Sequence, residues 1–536
     1  MGSTVSEVIK QEHFDMAVKK VSIGNCIGSI KNILRIDIGS IFEELGGIED
    51  ILKSDPSGVF EKMDFKTKNY YRNIIKDISD KTKISENYIA ETLLKLSAMG
   101  ANDPVYPKKS HIGYYLLKDR NTLYKTLGVK YKEQSDEEKA QVYICANSLI
   151  PAMLSCILGI TCYWLEMSTL ISCLIAILSY IPFTEICIKT INFILNKKVK
   201  PTLIPKLDMS KGIPEDAKTF VVIPTLISNT DKISELIKKL EVYYLANKSE
   251  NIYFALLGDC TSYKKKENEI DNSLAQKGLE EIAKLNEKYK ETDFPKFHFL
   301  YRNRKWNSHE ETYLGWERKR GLLNQFNRFL LKKDNSDFKV NSLIGDIEVP
   351  EIKYVITLDS DTNLTLNSGL ELIGASEHIL NTPILSEYGK IVKDGYGIIQ
   401  PHVGVNLEDS YKSIFSKIYS LSIGTDNYTN AISDVYQDNF GEGIFTGKGI
   451  YNLKIFEEVL GNEIPENIVL SHDLLEGSYL RCALASDILL LDGYPAKYNS
   501  SVQRQHRWIR GDWQIIRWMR KRSCRQIWSY KRKPIK

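Results

Sequence analysis

The stretch Tyr354-Val355-Ile356-Thr357-Leu358-Asp359-Ser360-Asp361 predicts the class of fold. Its apolar residues are typical of a buried strand, and two carboxylates follow directly where such a strand would end. Amphipathic helical stretches, for example 231–245 and 316–331, alternate with further short apolar runs. These runs are 219–224, 252–258 and 397–400. Strands that alternate with helices predict an α/β fold with a mainly parallel sheet, covered by helices on both faces.

Asp359 and Asp361 are candidate metal ligands. Ligands of parallel sheets bind beyond the carboxyl ends of the strands, and two carboxylates at such an end can converge on one cation. Mg²⁺ or Mn²⁺ held there would bridge the two phosphates of a nucleotide sugar and neutralise the departing diphosphate. The sequence holds no other Asp-x-Asp, although the bare tripeptide also arises by chance.

Further candidates for substrate binding stand at neighbouring strand ends. Asp259 follows the run 252–258, and Pro224 closes the run 219–224. Lys319 and Arg320 open a helical stretch from which they could reach the donor phosphates. A turn-capping role for Asp259 and a solvated helix face for the two cations remain alternatives.

Asp473 is the candidate general base. An acceptor hydroxyl must lose its proton as it attacks a sugar, and a carboxylate within hydrogen-bond reach can take that proton. The alternative is that Ser471 caps a helix and Asp473 lies in its first turn. Glu476 competes for the role of base, whereas His472 is expected to be structural.

Two segments carry cations near these candidates. Arg504 and Arg507 are three residues apart, so on a helix they share a face, and guanidinium groups match phosphate oxygens. Trp508 offers a flat apolar face for a sugar ring. A helix lying in a membrane interface is the alternative for this segment. The glycine-rich run 441–449 is interpreted as tight backbone near the acceptor path, and simple turns explain it equally well.

Two apolar segments, 143–165 and 170–188, predict a pair of membrane-spanning helices. Each is long enough to cross a hydrocarbon core of about 30 Å. Lysines flank the pair on both outer sides, which places both ends and the soluble parts in the cytoplasm, at the inner (plasma) membrane. Buried helices of a soluble protein are the alternative. Residues 1–140 read as a helical region with Ser85 as an N-cap, and residues 515–536 as a basic tail facing membrane lipid.

Composition excludes several classes of protein. The net charge of +4 is too small to indicate a nucleic-acid partner. The nine cysteines show no C-x-x-C spacing, so neither a zinc site nor a disulfide framework is predicted.

Several of these motifs resemble the glycosyltransferase region of the bacterial cyclic β-1,2-glucan synthases, relatives of the cellulose-synthase-like transferases. The similar stretches are 55–60, 63–65, 111–116, 359–362, 445–451 and 507–514. They run through nearly the whole chain, and the last is the most specific. One departure is that related cellulose synthases usually have Gln at the position of Arg504.

The resemblance implies a GT-A fold, which is Rossmann-like, over residues 201–514. It implies a metal-dependent, inverting transfer from UDP-glucose to a growing glucan acceptor. Asp259 and Asp359 then resemble donor contacts, Asp361 a metal ligand and Asp473 the base. The arginine-tryptophan motif that contacts diphosphate and acceptor is matched by Arg504, Arg507 and Trp508.

The resemblance also concerns partners and rival functions. Members of the family continue into more membrane helices and into carbohydrate-acting domains, so we expect those C-terminal domains as partners. Two rivals stay open at this point. The chain is either an inactive, partial membrane module, or a related synthase that makes a cellulose-type linkage.

Overall fold

The computed structural model describes residues 47–103, 106–130, 134–290, 294–332, 334–345, 348–420 and 434–519, with the isolated positions 16 and 19. The predictions for residues 1–46 and for the basic tail from residue 520 lie outside the described residues. Contacts divide the chain into two units. One comprises residues 1–61 and 72–129, and the other comprises residues 62–71 and 130–536.

The N-terminal part of the chain is helical, as predicted. Its helices are α1 (Gly47–Leu52), α2 (Val59–Lys62), α3 (Phe65–Thr82), α4 (Glu86–Gly100), α5 (Ile112–Leu117) and α6 (Arg120–Thr126). The Ser85 side chain accepts a hydrogen bond from the Tyr88 amide, which confirms the predicted N-cap of α4. His111 Nδ1 lies 2.7 Å from Asp55 Oδ2, so the motifs at 55–60 and 111–116 meet in a buried pair.

Two long apolar helices follow, α7 (Asp136–Trp164) and α8 (Thr169–Lys198). Within the described ranges these two are long and apolar enough to cross a membrane, with mean hydropathies of 1.8 and 2.0. Only 17% and 11% of their apolar windows are buried, which fits lipid-facing helices and disfavours the alternative of a soluble core. A Cβ at Gly159 would lie 2.8 Å from Ala176 Cβ, so small residues let the two helices cross closely.

A nine-stranded sheet forms the centre of the larger unit, in the order β6-β3-β2-β1-β7-β12-β11-β13-β8 among the described residues. The strands of this sheet are β1 (Thr219–Leu226), β2 (Ile252–Asp259), β3 (Phe297–Arg302), β6 (Phe338–Asn341), β7 (Tyr354–Thr357), β8 (Asn363–Leu364), β11 (Ile398–Val405), β12 (Gly449–Asn452) and β13 (Cys482–Asp492). Two small hairpins consist of β4 (Lys305–Asn307) with β5 (Thr312–Leu314), and β9 (Ile384–Leu385) with β10 (Val392–Asp394).

Three of the four strands predicted from the sequence, β1, β2 and β7, are parallel neighbours in the sheet, and β12 separates the fourth, β11, from β7. β1 pairs in parallel with both β2 and β7, β2 with β3, and β11 with β13. β12 runs antiparallel between β7 and β11, with Gly449 opposite Thr357. The prediction of a largely parallel α/β sheet is therefore confirmed, and the antiparallel strands β6, β8 and β12 are additions that the sequence pattern did not reveal.

Helices cover both faces of this sheet, and there is one apolar core on each face. The helices of the larger unit that follow the apolar pair are α9 (Thr230–Ala246), α10 (Glu269–Lys288), α11 (Arg318–Lys332), α12 (Ser368–Glu377), α13 (Leu407–Ser410), α14 (Ile414–Tyr419), α15 (Val435–Phe440), α16 (Leu453–Leu460), α17 (Asp473–Leu480) and α18 (Tyr498–Ile515). α9 and α10 pack on one face, whereas α11, α16 and α17 pack on the other. These helices cover the faces of the sheet and not the ends of its strands, so polar side chains can gather at the strand ends.

Candidate active site

The carboxylate of Asp359 lies just beyond β7, where the apolar strand gives way to the rim of the sheet. Lys319 Nζ, from the first turn of α11, lies 2.5 Å from Asp359 Oδ1 and donates a second hydrogen bond to the Gly447 carbonyl at 2.9 Å. The sequence predicted both charged residues as site candidates, and the fold brings them into direct contact.

A second lysine, which the sequence analysis did not single out, joins this cluster. Lys448 Nζ is 3.4 Å from Asp359 Oδ2 and pairs with the buried Asp492 at the end of β13. Thr362 donates to the other Asp492 oxygen at 2.6 Å. Desolvation alone would raise the pKa of Asp359, but the ammonium groups of Lys319 and Lys448 outweigh it and hold that pKa well below its usual range.

Asp361 faces a cavity of about 350 Å³. The cavity is lined by Lys232, Glu235, Leu236, Lys239, Ser360, Asp361, Asn363 and Asp409. Desolvation raises the pKa of Asp361, and the like charges of Asp492 and Asp359 raise it further, against the opposing effect of Lys448 and Arg504. The two carboxylates of the Asp-x-Asp thus differ, since Asp359 is bound by two lysines while Asp361 lines a cavity together with other acids and with Lys232 and Lys239.

Asp473 is the first residue of α17 and packs against Gly447. A Cβ at Gly447 would lie 2.9 Å from Asp473 Oδ2, and Gly447 has a φ of +88°, a conformation that favours glycine. The carbonyl of the same Gly447 accepts a hydrogen bond from Lys319. The predicted base and the Lys319–Asp359 pair therefore both contact this glycine. Desolvation raises the pKa of Asp473, and the nearby Glu476 and Asp359 add to it, against His472 and Lys319.

The residue that precedes α17 at its N-cap is His472, and it makes no side-chain capping bond. The alternative in which Ser471 caps this helix is therefore wrong. The cap position falls one residue later than expected, but Asp473 does lie in the first turn of α17, as that alternative also expected. Ser471 packs against Gly511 of α18.

Helix α18 carries the predicted cations and is docked beside the base. A Cβ at Gly511 would lie only 2.3 Å from Ser471 Cβ, so helix and segment touch through a glycine. The guanidinium of Arg504 lies 4.6 Å from the centroid of the Trp508 ring. The charge of Arg504 opposes the raised pKa of Asp361, whereas Arg507 is exposed on the surface of α18.

With this geometry in place, comparison with known proteins gives a relative. The chain is 34% identical over 529 residues, 96% of its length, to the cyclic beta-(1,2)-glucan synthase NdvB of Rhizobium meliloti (strain 1021). The chain is therefore similar to one part of that synthase. No family model matches the chain. It spans 18% of the length of NdvB, and its relation to a synthase supports the prediction that it is an enzyme.

Asp259 lies at the carboxyl end of β2, and the sequence predicted it to be a donor contact. Both of its carboxylate oxygens bind Arg302, whose Nε and Nη2 atoms each lie 2.6 Å away. Arg302 also donates to the Trp316 carbonyl at 2.7 Å and to the Arg318 carbonyl at 2.8 Å. The sequence did not single out Arg302, because nothing in the pattern of β3 marks the arginine at its end.

Breaking this pair tests what Asp259 does. Its replacement by alanine leaves the Arg302 guanidinium buried without its counter-ion, so the free energy of unfolding should fall by about 3 kcal/mol or more, measured as a lower Tm. Removing Glu310 from its exposed 2.8 Å pair with Arg318 is the matched control, where about 1 kcal/mol or less is expected. An unchanged Tm with weaker UDP binding would contradict a structural pair and favour a donor contact.

Two further candidates point elsewhere. Pro224 is buried within β1, opposite Leu257 of β2. Arg320 is 5% exposed, pairs with Glu317 at 2.5 Å and donates to the Ile464 carbonyl at 3.1 Å. Their contacts are thus with the protein, and only Lys319 of the adjacent cations reaches Asp359.

Proposed function

We propose that the chain is a membrane-bound, inverting glucosyltransferase that uses UDP-glucose to elongate a β-1,2-linked glucan. The relation to a named glucan synthase supports the class of reaction. The observation that carries the proposal is the meeting of Asp473 with the Lys319–Asp359 pair around Gly447. A base, a cation and a second acid at one open edge of a parallel sheet suit a transfer reaction.

Asp473 has the position and environment of a general base. In the proposed reaction it takes the proton of the acceptor hydroxyl as the oxygen attacks the anomeric carbon and UDP departs. One displacement converts an α-linked donor into a β-linked product. A raised pKa improves Asp473 as a proton acceptor, because a carboxylate of ordinary acidity binds the proton only weakly.

The cations supply the other half of the reaction. Lys319 stands beside the base, and Arg504 acts on Asp361 from α18. Both cations can approach the negatively charged diphosphate of the leaving UDP and stabilise its charge. Trp508 is 43% exposed beneath the Arg504 guanidinium, so its ring is available to contact a sugar.

Of the two carboxylates in the Asp-x-Asp pair, Asp361 is the better candidate to ligate a divalent metal. Asp361 lines a cavity beside Glu235 and Asp409, and the like charges of Asp492 and Asp359 raise its pKa, which a cation would offset even with Lys239 nearby. Asp359 is already bound by two lysines, one of which would have to move away for Asp359 to ligate as well. Mg²⁺ or Mn²⁺ bound there would neutralise the diphosphate as a Lewis acid.

The apolar hairpin gives the proposed location. Lysines outside the pair of helices favour the cytoplasmic side of the inner membrane for the catalytic unit, where a nucleotide sugar is available. A basic surface beyond residue 515 would add contact with anionic lipid.

The whole chain, purified in nanodiscs, tests the proposal with radiolabelled UDP-glucose and Mg²⁺. We expect release of UDP and a labelled product with β-1,2 linkages by linkage analysis. Absence of both would reject the proposal, while a β-1,4 product would reject the linkage alone.

Removal of the Asp361 carboxylate should weaken metal-dependent binding of UDP. For Asp361→Ala we expect an increase of about tenfold or more in Kd, since a charged ligand of the metal is lost. Isothermal titration of UDP with and without Mg²⁺ measures it. Asp334→Asn, an exposed loop position, is the control, and an equal Mg²⁺ dependence in both variants would exclude Asp361 as a ligand.

A further inference from the structure

A histidine lies directly beside the proposed base and has no part in the reaction described so far. His472 is 8% exposed and Glu476 is 4% exposed. His472 Nδ1 lies 2.8 Å from Glu476 Oε1, one helical turn further along α17, and 3.6 Å from Asp473 Oδ1. The imidazole ring therefore lies beside two carboxylates at ion-pair distance, although its Nδ1 makes no well-aligned hydrogen bond to either.

The charges around His472 favour its protonated form. Burial alone would lower its pKa, but the neighbouring Glu476 and Asp473 outweigh burial and raise it, against a smaller effect of Arg320 on α11. The charged groups that act on Asp473 are His472 and Glu476 on its own helix, Lys319 on α11 and Asp359 after β7. Of the cations among them, His472 has the largest effect on Asp473.

A metal is a second use for the same side chains. Ligand atoms of His472, Asp473 and Glu476 lie within 4.8 Å of one another. The His472–Glu476 ion pair explains why these side chains lie close together without a metal. The imidazolium of His472 supplies the positive charge that a metal ion would otherwise bring to the two carboxylates.

We propose that His472, held by Glu476, is a cationic positioning residue that orients the Asp473 carboxylate and keeps it ionised for proton transfer. The inference rests on the proposed function, since it assigns a role relative to the base. The arrangement solves a physical conflict. A base in a poorly solvated site tends to take up a proton before the substrate arrives, and an adjacent fixed cation opposes this without blocking the open side of the carboxylate.

Substituting His472 by asparagine removes the charge and keeps a polar side chain. Loss of the cation raises the pKa of Asp473, so activity should be lost at a higher pH on acidification. We expect the acid limb of the kcat/KM profile to move up by about one pH unit or more, with KM for UDP-glucose unchanged near neutral pH.

The control is Ser478→Ala on the exposed side of α17, for which no shift is expected. His472→Lys should return the limb towards that of the unsubstituted chain. A merely structural histidine would lower activity at every pH and leave the limb in place, and that result for His472→Asn would overturn the inference.

A readout without turnover separates this inference from the proposed function. Infrared difference spectra between the full chain and Asp473→Asn isolate the carboxyl stretch of Asp473 as pH is varied. Its titration midpoint should rise in the His472→Asn background. If the unsubstituted chain shows no transfer but this midpoint rises, the proposed function fails and the positioning role stands; an unchanged midpoint refutes the role.

Discussion

Asp473→Asn should lower turnover by about 10²–10⁴-fold, the usual contribution of a general base, while UDP still binds. The amide matches the carboxylate in shape and cannot accept the acceptor proton. Labelled UDP-glucose with the purified chain measures turnover, and titration calorimetry measures binding of UDP. The two readouts together separate a lost chemical step from a lost binding site.

The same substitution carries a control on stability. Because desolvation and like charges disfavour the ionised Asp473, replacing it by a neutral amide should not lower Tm. Asp334→Asn should leave both turnover and Tm as they are. Turnover that survives in Asp473→Asn would reject the assignment of the base and direct attention to Glu476.

Gly511→Ala is the second variant for which a large loss is expected. The added methyl would sit 2.3 Å from Ser471 Cβ and 2.9 Å from the Ser471 amide nitrogen. Backbone cannot yield as a flexible side chain can, so α18 must move away from the segment that leads into Asp473. A misplacement of about 1 Å in a catalytic group can cost about 10²-fold in rate.

Turnover in nanodiscs checks this expectation, with the UDP affinity as a second measurement. Gly345→Ala is the matched control, because nothing lies within 4 Å of the position of its Cβ. Equal turnover in the two alanine variants would show that the contact between α18 and Ser471 does not matter for the reaction.

The sequence predicted the location of the site better than its contacts. Alternation of apolar runs with amphipathic helices fixes which residues end parallel strands, and this is why Asp259, Asp359 and Asp361 were found. Lys319 followed from its place at the start of a helix. All of these inferences use only local periodicity and the rule that ligands bind at strand ends.

Partners distant in the chain could not be read from that pattern. Lys448 and Asp492 reach the rim through β12 and β13, whose place in the sheet depends on pairings that no local signal encodes. Arg302 is similar, since its bond to Asp259 arises from the alignment of β2 with β3. The glycine-rich run 441–449 predicts tight backbone, and that pattern gives no indication of the contacts that the Lys448 side chain makes.

The orientation of β12 has a consequence for how such a site can vary. Since this strand runs antiparallel to β7, its first residue, Gly449, lies opposite Thr357, where β7 ends. One short tract therefore delivers a carbonyl, a glycine and an ammonium group there without any crossover helix. Insertions or deletions before Thr446 would therefore change the surroundings of this cluster while the paired strands keep their alignment.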